Sequence, residues 1–237
     1  MIPNTNPLRT LKKINIETKD LCNRSCSFCP RSTYTDTGDE MSLEDYRLIL
    51  GKLADYDYNG YISPVGNNEG LCDDRIVEII RITRELLPNS LISIDTNGDL
   101  LTSDLLQDMV DAGLSQLTIN HYDDSNADLY LLDGPINHRK VEEIPLYNRA
   151  GNVDVESRVD VYLCIKLFHK MAISHKGDAL LCCADWFNVI KLGNVITDDI
   201  AEIWNLPLRE SYREAHSLQL GHTMSLCDVC NRLNSEL

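Results

Sequence analysis

Apolar and polar positions follow two rhythms along the first half of the chain. A period of two runs through 13–20 (KINIETKD), 60–66 (GYISPVG), 90–98 (SLISIDTNG) and 115–122 (SQLTINHY), and it predicts four strands. Between them a helical period covers 42–56, 73–87 and 102–113. Ser42 stands as an N-cap with Asp45 three residues on, and 102–113 opens on an acidic turn and stops at Gly113. Strand and helix therefore repeat as a β/α unit, whose right-handed crossovers build a parallel sheet.

The rhythm fades beyond about residue 123. The stretch 123–151 reads as turns with one short helix, and 152–164 as one or two strands. A hairpin follows, turning at Lys176, Gly177 and Asp178. Residues 198–218 read as one helix, or as two broken near Pro207. Four or five β/α units fit before residue 164, short of the roughly 250 residues of a closed barrel. The expected fold class is α/β: a partial, open parallel β/α barrel over 1–150, then a small cysteine-rich domain over 151–237.

A chain of 237 residues, 43% hydrophobic, can bury a core without disulfides. Its net charge of −15 argues against nucleic acid, because the densest basic stretch, 138–140, is short and lies close to acids. The acidity reads as a solvated surface, or else as selectivity for a neutral or cationic substrate. No apolar segment marks the N-terminus and no run is long enough to span a membrane, so the expectation is a cytoplasmic protein with no membrane partner. Nine cysteines in a reducing compartment then point to metal ligation.

The cysteines fall into two groups. Cys22, Cys26 and Cys29 form C-x3-C-x2-C directly after the first strand, where β/α barrels place their active sites. Thiolates suit zinc or iron–sulfur clusters, and structural zinc takes four protein ligands. Three cysteines can hold three irons of a 4Fe–4S cube and leave the fourth open to an exogenous ligand. The second group is Cys164, Cys182, Cys183, Cys227 and Cys230, anchored on the C-x2-C pair at 227 and 230. Cys182 and Cys183 are neighbours whose side chains diverge on a strand, so one of them ligates; Cys182 is the assignment and Cys183 the alternative. Zinc remains an alternative in this tetrathiolate set. Cys72 stands alone, as a small core residue or a thiol hydrogen-atom donor.

The first group, with Phe28 just before its last cysteine, resembles the radical S-adenosylmethionine (SAM) enzymes. VGNNEGL (65–71) resembles that family's glycine-and-glutamate motif, DTNG (95–98) its third-strand ending and LTIN (117–120) its fourth strand. Asn67 and Asn68 stand where glycine is common, and Gly70 replaces a frequent proline. The hairpin before the double cysteine, LGNV (192–195), EIW (202–204) and the closing C-x2-C resemble the SPASM extension and its shorter form, twitch, which carries one auxiliary cluster.

The resemblance implies two 4Fe–4S clusters. Cys22, Cys26 and Cys29 would hold the cluster that binds SAM, and Cys164, Cys182, Cys227 and Cys230 the auxiliary one. Asn67, Asn68 and Glu69 would hold the methionine part of SAM, Phe28 would border the adenine, and Asn97 and Asn120 are candidates for the ribose. The implied activity is cleavage of SAM to a 5′-deoxyadenosyl radical that takes a hydrogen atom from substrate. A second cluster suggests a two-electron oxidation of a small polar molecule such as a sugar or amino-cyclitol, with epimerisation or peptide modification as the alternative. Arg149 is a candidate substrate contact, and His121, at a strand end facing the expected site, a candidate proton acceptor. An electron donor such as flavodoxin or ferredoxin is the implied partner.

Overall fold

The structure is a computed structural model that describes residues 6–144, 146–155 and 164–231. Five parallel strands run in sequence order: β1 (Lys13–Ile16), β2 (Tyr61–Ser63), β3 (Leu91–Thr96), β4 (Gln116–His121) and β5 (Ile136–Lys140). Helices α1 (Leu43–Ala54), α2 (Ile76–Leu86) and α3 (Ser103–Asp111) link the first four. The short α4 (Lys166–His169) leads into β6 (Lys170–Ile173), β7 (Asp178–Leu180) and β8 (Lys191–Asn194), and the chain continues into α5 (Ile200–Trp204) and α6 (Pro207–Ser217). The sheet has eight strands in the order β5-β4-β3-β2-β1-β6-β7-β8. The expected open parallel barrel is present, and its free edge beside β1 is taken by β6 in parallel register before β7 and β8 continue antiparallel.

The helices form where the apolar stripes dictate. Tyr46, Ile49, Leu50 and Leu53 are the buried face of α1, and Ile76, Ile79, Ile80 and Thr83 that of α2. Ser42 Oγ accepts from the Asp45 N–H at 3.0 Å and Thr102 Oγ1 from the Leu105 N–H at 3.1 Å, so both caps act as read. Thr83 donates to the Ile79 carbonyl, and Tyr46 Oη lies 2.7 Å from the same hydroxyl, fastening α1 to α2. The stretch 198–218 is two helices, because Pro207 has no N–H to continue a helix and instead starts α6.

One core packs α1 and the C-terminal Ile203 and Trp204 against β1, β2 and β6. A second packs α2 and α3 against β3 and β4. The C-terminal segment thus shares both a sheet and a core with the barrel. Strand β5 was not visible in the sequence, because its burial is irregular along INHRK and leaves no period of two. Most of the strand expected over 152–164 lies outside the described residues, and 152–155 contain none.

Ahead of α2, Asp73 is fully buried and accepts from Arg75 Nε at 2.8 Å and Nη2 at 2.9 Å. Burial pushes its carboxyl up, but the hydrogen bonds and charge of Arg75 outweigh burial and hold it below the ordinary 3.8. A depressed carboxylate contributes stability that is whole above the unfolded value and disappears as pH falls through the native one. Thermal melts of the apoprotein should therefore fall more steeply below pH 3.8 in the native sequence than in Asp73→Asn.

Candidate active site

The C-terminal ends of β1–β4 meet at a cavity of about 450 Å³. Cys22, Cys26 and Cys29 line it from the loop after β1. Val65 to Glu69 line it from the loop after β2, Asn97 from β3, and Asn120 with Tyr122 from β4.

The cysteine loop is held by a buried ionic knot. Arg31 donates through Nη2 to Asp20 Oδ1 at 2.8 Å, pairs with Asp36, and donates through Nε to the Asn67 carbonyl at 3.0 Å. Asp36 in turn accepts the Cys22 N–H at 2.9 Å, and Asp20 accepts from Tyr34 Oη at 2.7 Å. One guanidinium thus ties the cysteine loop to the loop after β2. Leaving such buried carboxylates unpaired costs about 3 kcal/mol or more. Arg31→Met should lower apoprotein stability by about that amount and reduce the iron recovered on reconstitution, measured by denaturant melts and iron analysis.

Glu69 is 5% exposed and fixed at three points. Oε1 accepts from Thr96 Oγ1 at 2.7 Å and the Leu71 N–H at 3.1 Å, and Oε2 from the Asn97 N–H at 2.9 Å. Burial raises its carboxyl despite these bonds. A carboxylate has about four acceptor sites, so one is left for a cation in the cavity. Asn68 Oδ1 accepts the Gly66 N–H at 2.8 Å, while its Nδ2 is buried with no partner. Gly66 lies so close to β1 that a Cβ there would meet Glu17 Cβ at 2.7 Å, which explains the glycine.

The other expected residues divide. Asn120 lines the cavity and bonds Thr96 O only loosely, at 3.4 Å. Asn97 is engaged at both ends, donating to Asn23 Oδ1 at 2.8 Å and accepting the Asp99 N–H at 3.0 Å. Phe28 packs at 5.1 Å against Tyr122, an aromatic the sequence reading passed over. Its signal was the alternation of β4, which sends Asn120 and Tyr122 to one face. The same alternation corrects the expectation for His121, which does not line the cavity. Its Nδ1 meets Asn126 Oδ1 at 3.0 Å and its Nε2 meets His138 Nδ1 at 2.9 Å, in a stack with Tyr130. Cys72 is half-buried rather than core, 3.8 Å from Asn23 Oδ1 of the cysteine loop.

Arg149 lines the cavity and donates to Tyr147 Oη at 2.9 Å. Arg149 and Ala150 have φ of 48° and 54°, a left-handed conformation that costs about 1–2 kcal/mol per residue. Strain of this kind concentrates where a side chain must be aimed.

The second cysteine group gathers behind this wall. Cys227 is pushed up to about 12 by burial and by Cys164 and Cys230 nearby. Cys182 feels Cys164, packs with Cys230 against Ala184, and accepts the Ala184 N–H at 3.3 Å. Cys183 instead lines the same cavity as the three-cysteine loop, and the hydrogen bond from Cys182 lowers it with help from Lys170 and Arg149. Cys22 is raised to about 11, chiefly by burial. Thiols this reluctant to ionise alone do so when a cationic metal centre arrives. Among the described residues no three Cys, His, Asp or Glu side chains converge tightly enough to hold a single ion. A cube meets each thiolate with a separate iron, so this donor set suits a cluster. The unpartnered Asn68 amide and the spare acceptor of Glu69 suit the carboxylate and amine of a bound amino acid.

An open β/α barrel with a three-thiol loop at its rim defines a radical SAM fold, and residues 16–150 match the Radical SAM superfamily. The chain belongs to that family. Residues 164–231 match SPASM, an iron–sulfur cluster-binding domain. The protein is an enzyme whose cofactors are SAM and 4Fe–4S clusters.

Among particular proteins, the chain is similar to the S-adenosyl-L-methionine-dependent 2-deoxy-scyllo-inosamine dehydrogenase of Niallia circulans, with 26% identity over 93% of each chain. It superposes on the crystal structure of BtrN in complex with AdoMet and 2-DOIA with a TM-score of 0.85, 25% identity and 94% of each chain covered. SuiB of Streptococcus suis, bound to its precursor peptide SuiA, shares the fold at a TM-score of 0.58 and 14% identity, over 94% of this chain and 71% of SuiB. No helix among the described residues is long and apolar enough to cross a membrane.

Proposed function

We propose that the protein oxidises a secondary alcohol of a small polyol to a ketone. The observation that carries this reading is the common wall. Cys183, Lys170 and Arg149 line the same cavity as the three-cysteine loop, and Cys182, the neighbour of Cys183, sits among the second group. A substrate between them would have a radical source on one side and an electron acceptor on the other. The dehydrogenase name of the Niallia circulans relative supports the same reaction.

Cys22, Cys26 and Cys29 would hold the SAM-binding cluster, and Cys164, Cys182, Cys227 and Cys230 the auxiliary one. The N–H bond from Ala184 to the Cys182 sulfur favours Cys182 over Cys183. Held by these residues, SAM and the two clusters would supply the chemistry of hydrogen-atom removal from the carbinol carbon and an acceptor for the second electron.

The chain's own residues position and shield these groups. Glu69 and Asn68 hold the methionine moiety, Phe28 and Tyr122 wall the adenine, and Asn120 meets the ribose. Arg149 directs guanidinium N–H groups at the substrate hydroxyl and stabilises its oxygen as the proton departs. Residues 1–150 form the SAM-cleaving unit and 151–237 the auxiliary unit. A reduced flavodoxin or ferredoxin in the cytoplasm would supply the electron that starts each turnover.

The test is anaerobic turnover of the reconstituted enzyme with carbinol-deuterated polyols. The polyol that stimulates SAM cleavage should yield a ketone and deuterated 5′-deoxyadenosine. An epimer carrying solvent deuterium would overturn dehydrogenation.

A further inference from the structure

The whole chain is acidic, with 22 basic and 37 acidic residues, yet the cavity has the opposite sign. Seven lysines and arginines line it against three carboxylates, Glu69, Asp95 and Glu143. Three of the cations are answered. Arg24 is held by Asp99 and Asp123, Arg31 by Asp20 and Asp36, and Lys13 lies 3.9 Å from Asp95. Four remain: Arg139, Arg149, Lys166 and Lys170. Among the described residues no carboxylate comes within ion-pair distance of Arg139, Arg149 or Lys170. Lys166 is 7% exposed, with its ammonium 5.5 Å from the Tyr147 ring.

The arrangement is costly as it stands. Lys13 and Lys170 are direct register partners on the parallel pair β1 and β6, and both line the cavity. Like charges placed opposite each other on a sheet destabilise it. Burial and Lys13 together lower Lys170, although the neighbouring thiols and Asp95 act in the other direction.

The cofactors would offset only part of this excess, since Arg149 and Lys170 also face cysteine thiols. A three-thiolate cluster is anionic, and the sulfonium of SAM is offset by its own carboxylate. The four-thiolate group is anionic too, but Arg209 from α6 faces Cys182 and answers it from behind. Among the described residues, Lys166, Lys170 and Arg149 thus bring to the cavity more positive charge than its carboxylates pair with, which an anionic substrate would complement.

We propose that the natural substrate is an anionic polyol, bearing a phosphate monoester or a carboxylate, whose oxyanion is held by Lys170 and Lys166 while Arg149 faces the reacting hydroxyl. This rests on the alcohol-oxidation reading and narrows its substrate class. It separates this chain from the inosamine dehydrogenase it resembles, because an amine is protonated at neutral pH and would be repelled by the same side chains. The lysines contribute point charges to the oxyanion, and Arg149 a planar fork of donors to the hydroxyl.

The experiment is calorimetric titration of the reconstituted, SAM-loaded enzyme with four matched probes: myo-inositol, 2-deoxy-scyllo-inosamine, myo-inositol 1-phosphate and glucuronate. At least one anionic probe should bind about ten-fold or more tightly than myo-inositol, and added salt should shrink the preference. Whichever anion binds more tightly identifies phosphate or carboxylate. Lys170→Met should lose the preference and Lys170→Arg should keep it. Equal or tighter binding of the inosamine, or anions no better than myo-inositol, would overturn the proposal. 5′-Deoxyadenosine is assayed in the same samples. Anion binding with no SAM cleavage and no ketone would overturn the oxidation reading while leaving the charge inference standing. Ketone formed from the inosamine alone would do the reverse.

Discussion

Cys26→Ala should take SAM cleavage to background. Removing a group that only supports a metal ligand typically costs about 10–100-fold, and removing one of three cluster ligands should exceed that. The loop has no fourth thiol in line to substitute. Cys72 contacts Asn23 across the loop, and Cys183 is committed to the far wall beside Arg149 and Lys170. Iron should fall by about half, because the four cysteines behind the wall are untouched. The readouts are anaerobic 5′-deoxyadenosine formation and iron per chain. SAM cleavage near the native rate would remove the basis for assigning the cluster to Cys22, Cys26 and Cys29.

Cys227→Ala should separate the two halves of the reaction. SAM cleavage needs only the rim of the barrel, whereas ketone formation needs an acceptor for the second electron. The variant should still make 5′-deoxyadenosine and lose ketone by about ten-fold or more relative to it, as expected when an interaction serves one step and not the other. Product analysis by mass spectrometry gives the ratio. Fold damage is controlled by far-ultraviolet circular dichroism, since Cys227 also packs against the C-terminal core. Unchanged ketone per 5′-deoxyadenosine would mean that the second cysteine group does not carry the electron.

The sequence made some parts of this structure legible and hid others for physical reasons. Strands β1–β4 and helices α1–α3 were readable because each buries one face, and burial writes a period. The irregular burial of β5 left no such period. The cysteine loop and VGNNEG were readable because they are contiguous in the chain. The cationic wall was not, since Lys13 meets Lys170 only through the pairing of β1 with β6, and Arg149 arrives from a third segment. Net charge pointed the other way, because it sums a surface that faces water with a cavity that does not. His121 sits away from the cavity because strand alternation from Asn120 turns it to the opposite face, where it meets Asn126. The knot around Arg31 was also invisible, as nothing in PRSTYTD announces that one arginine will join Asp20, Asp36 and the Asn67 carbonyl.

Iron and acid-labile sulfide analysis of the anaerobically reconstituted protein, with EPR before and after SAM, bears most directly on two clusters facing one cavity. About eight irons per chain are expected, from two 4Fe–4S centres, with two reduced-cluster signals of which only one shifts when SAM is added. Stoichiometric zinc at either cysteine group, or a SAM-insensitive spectrum, would contradict it.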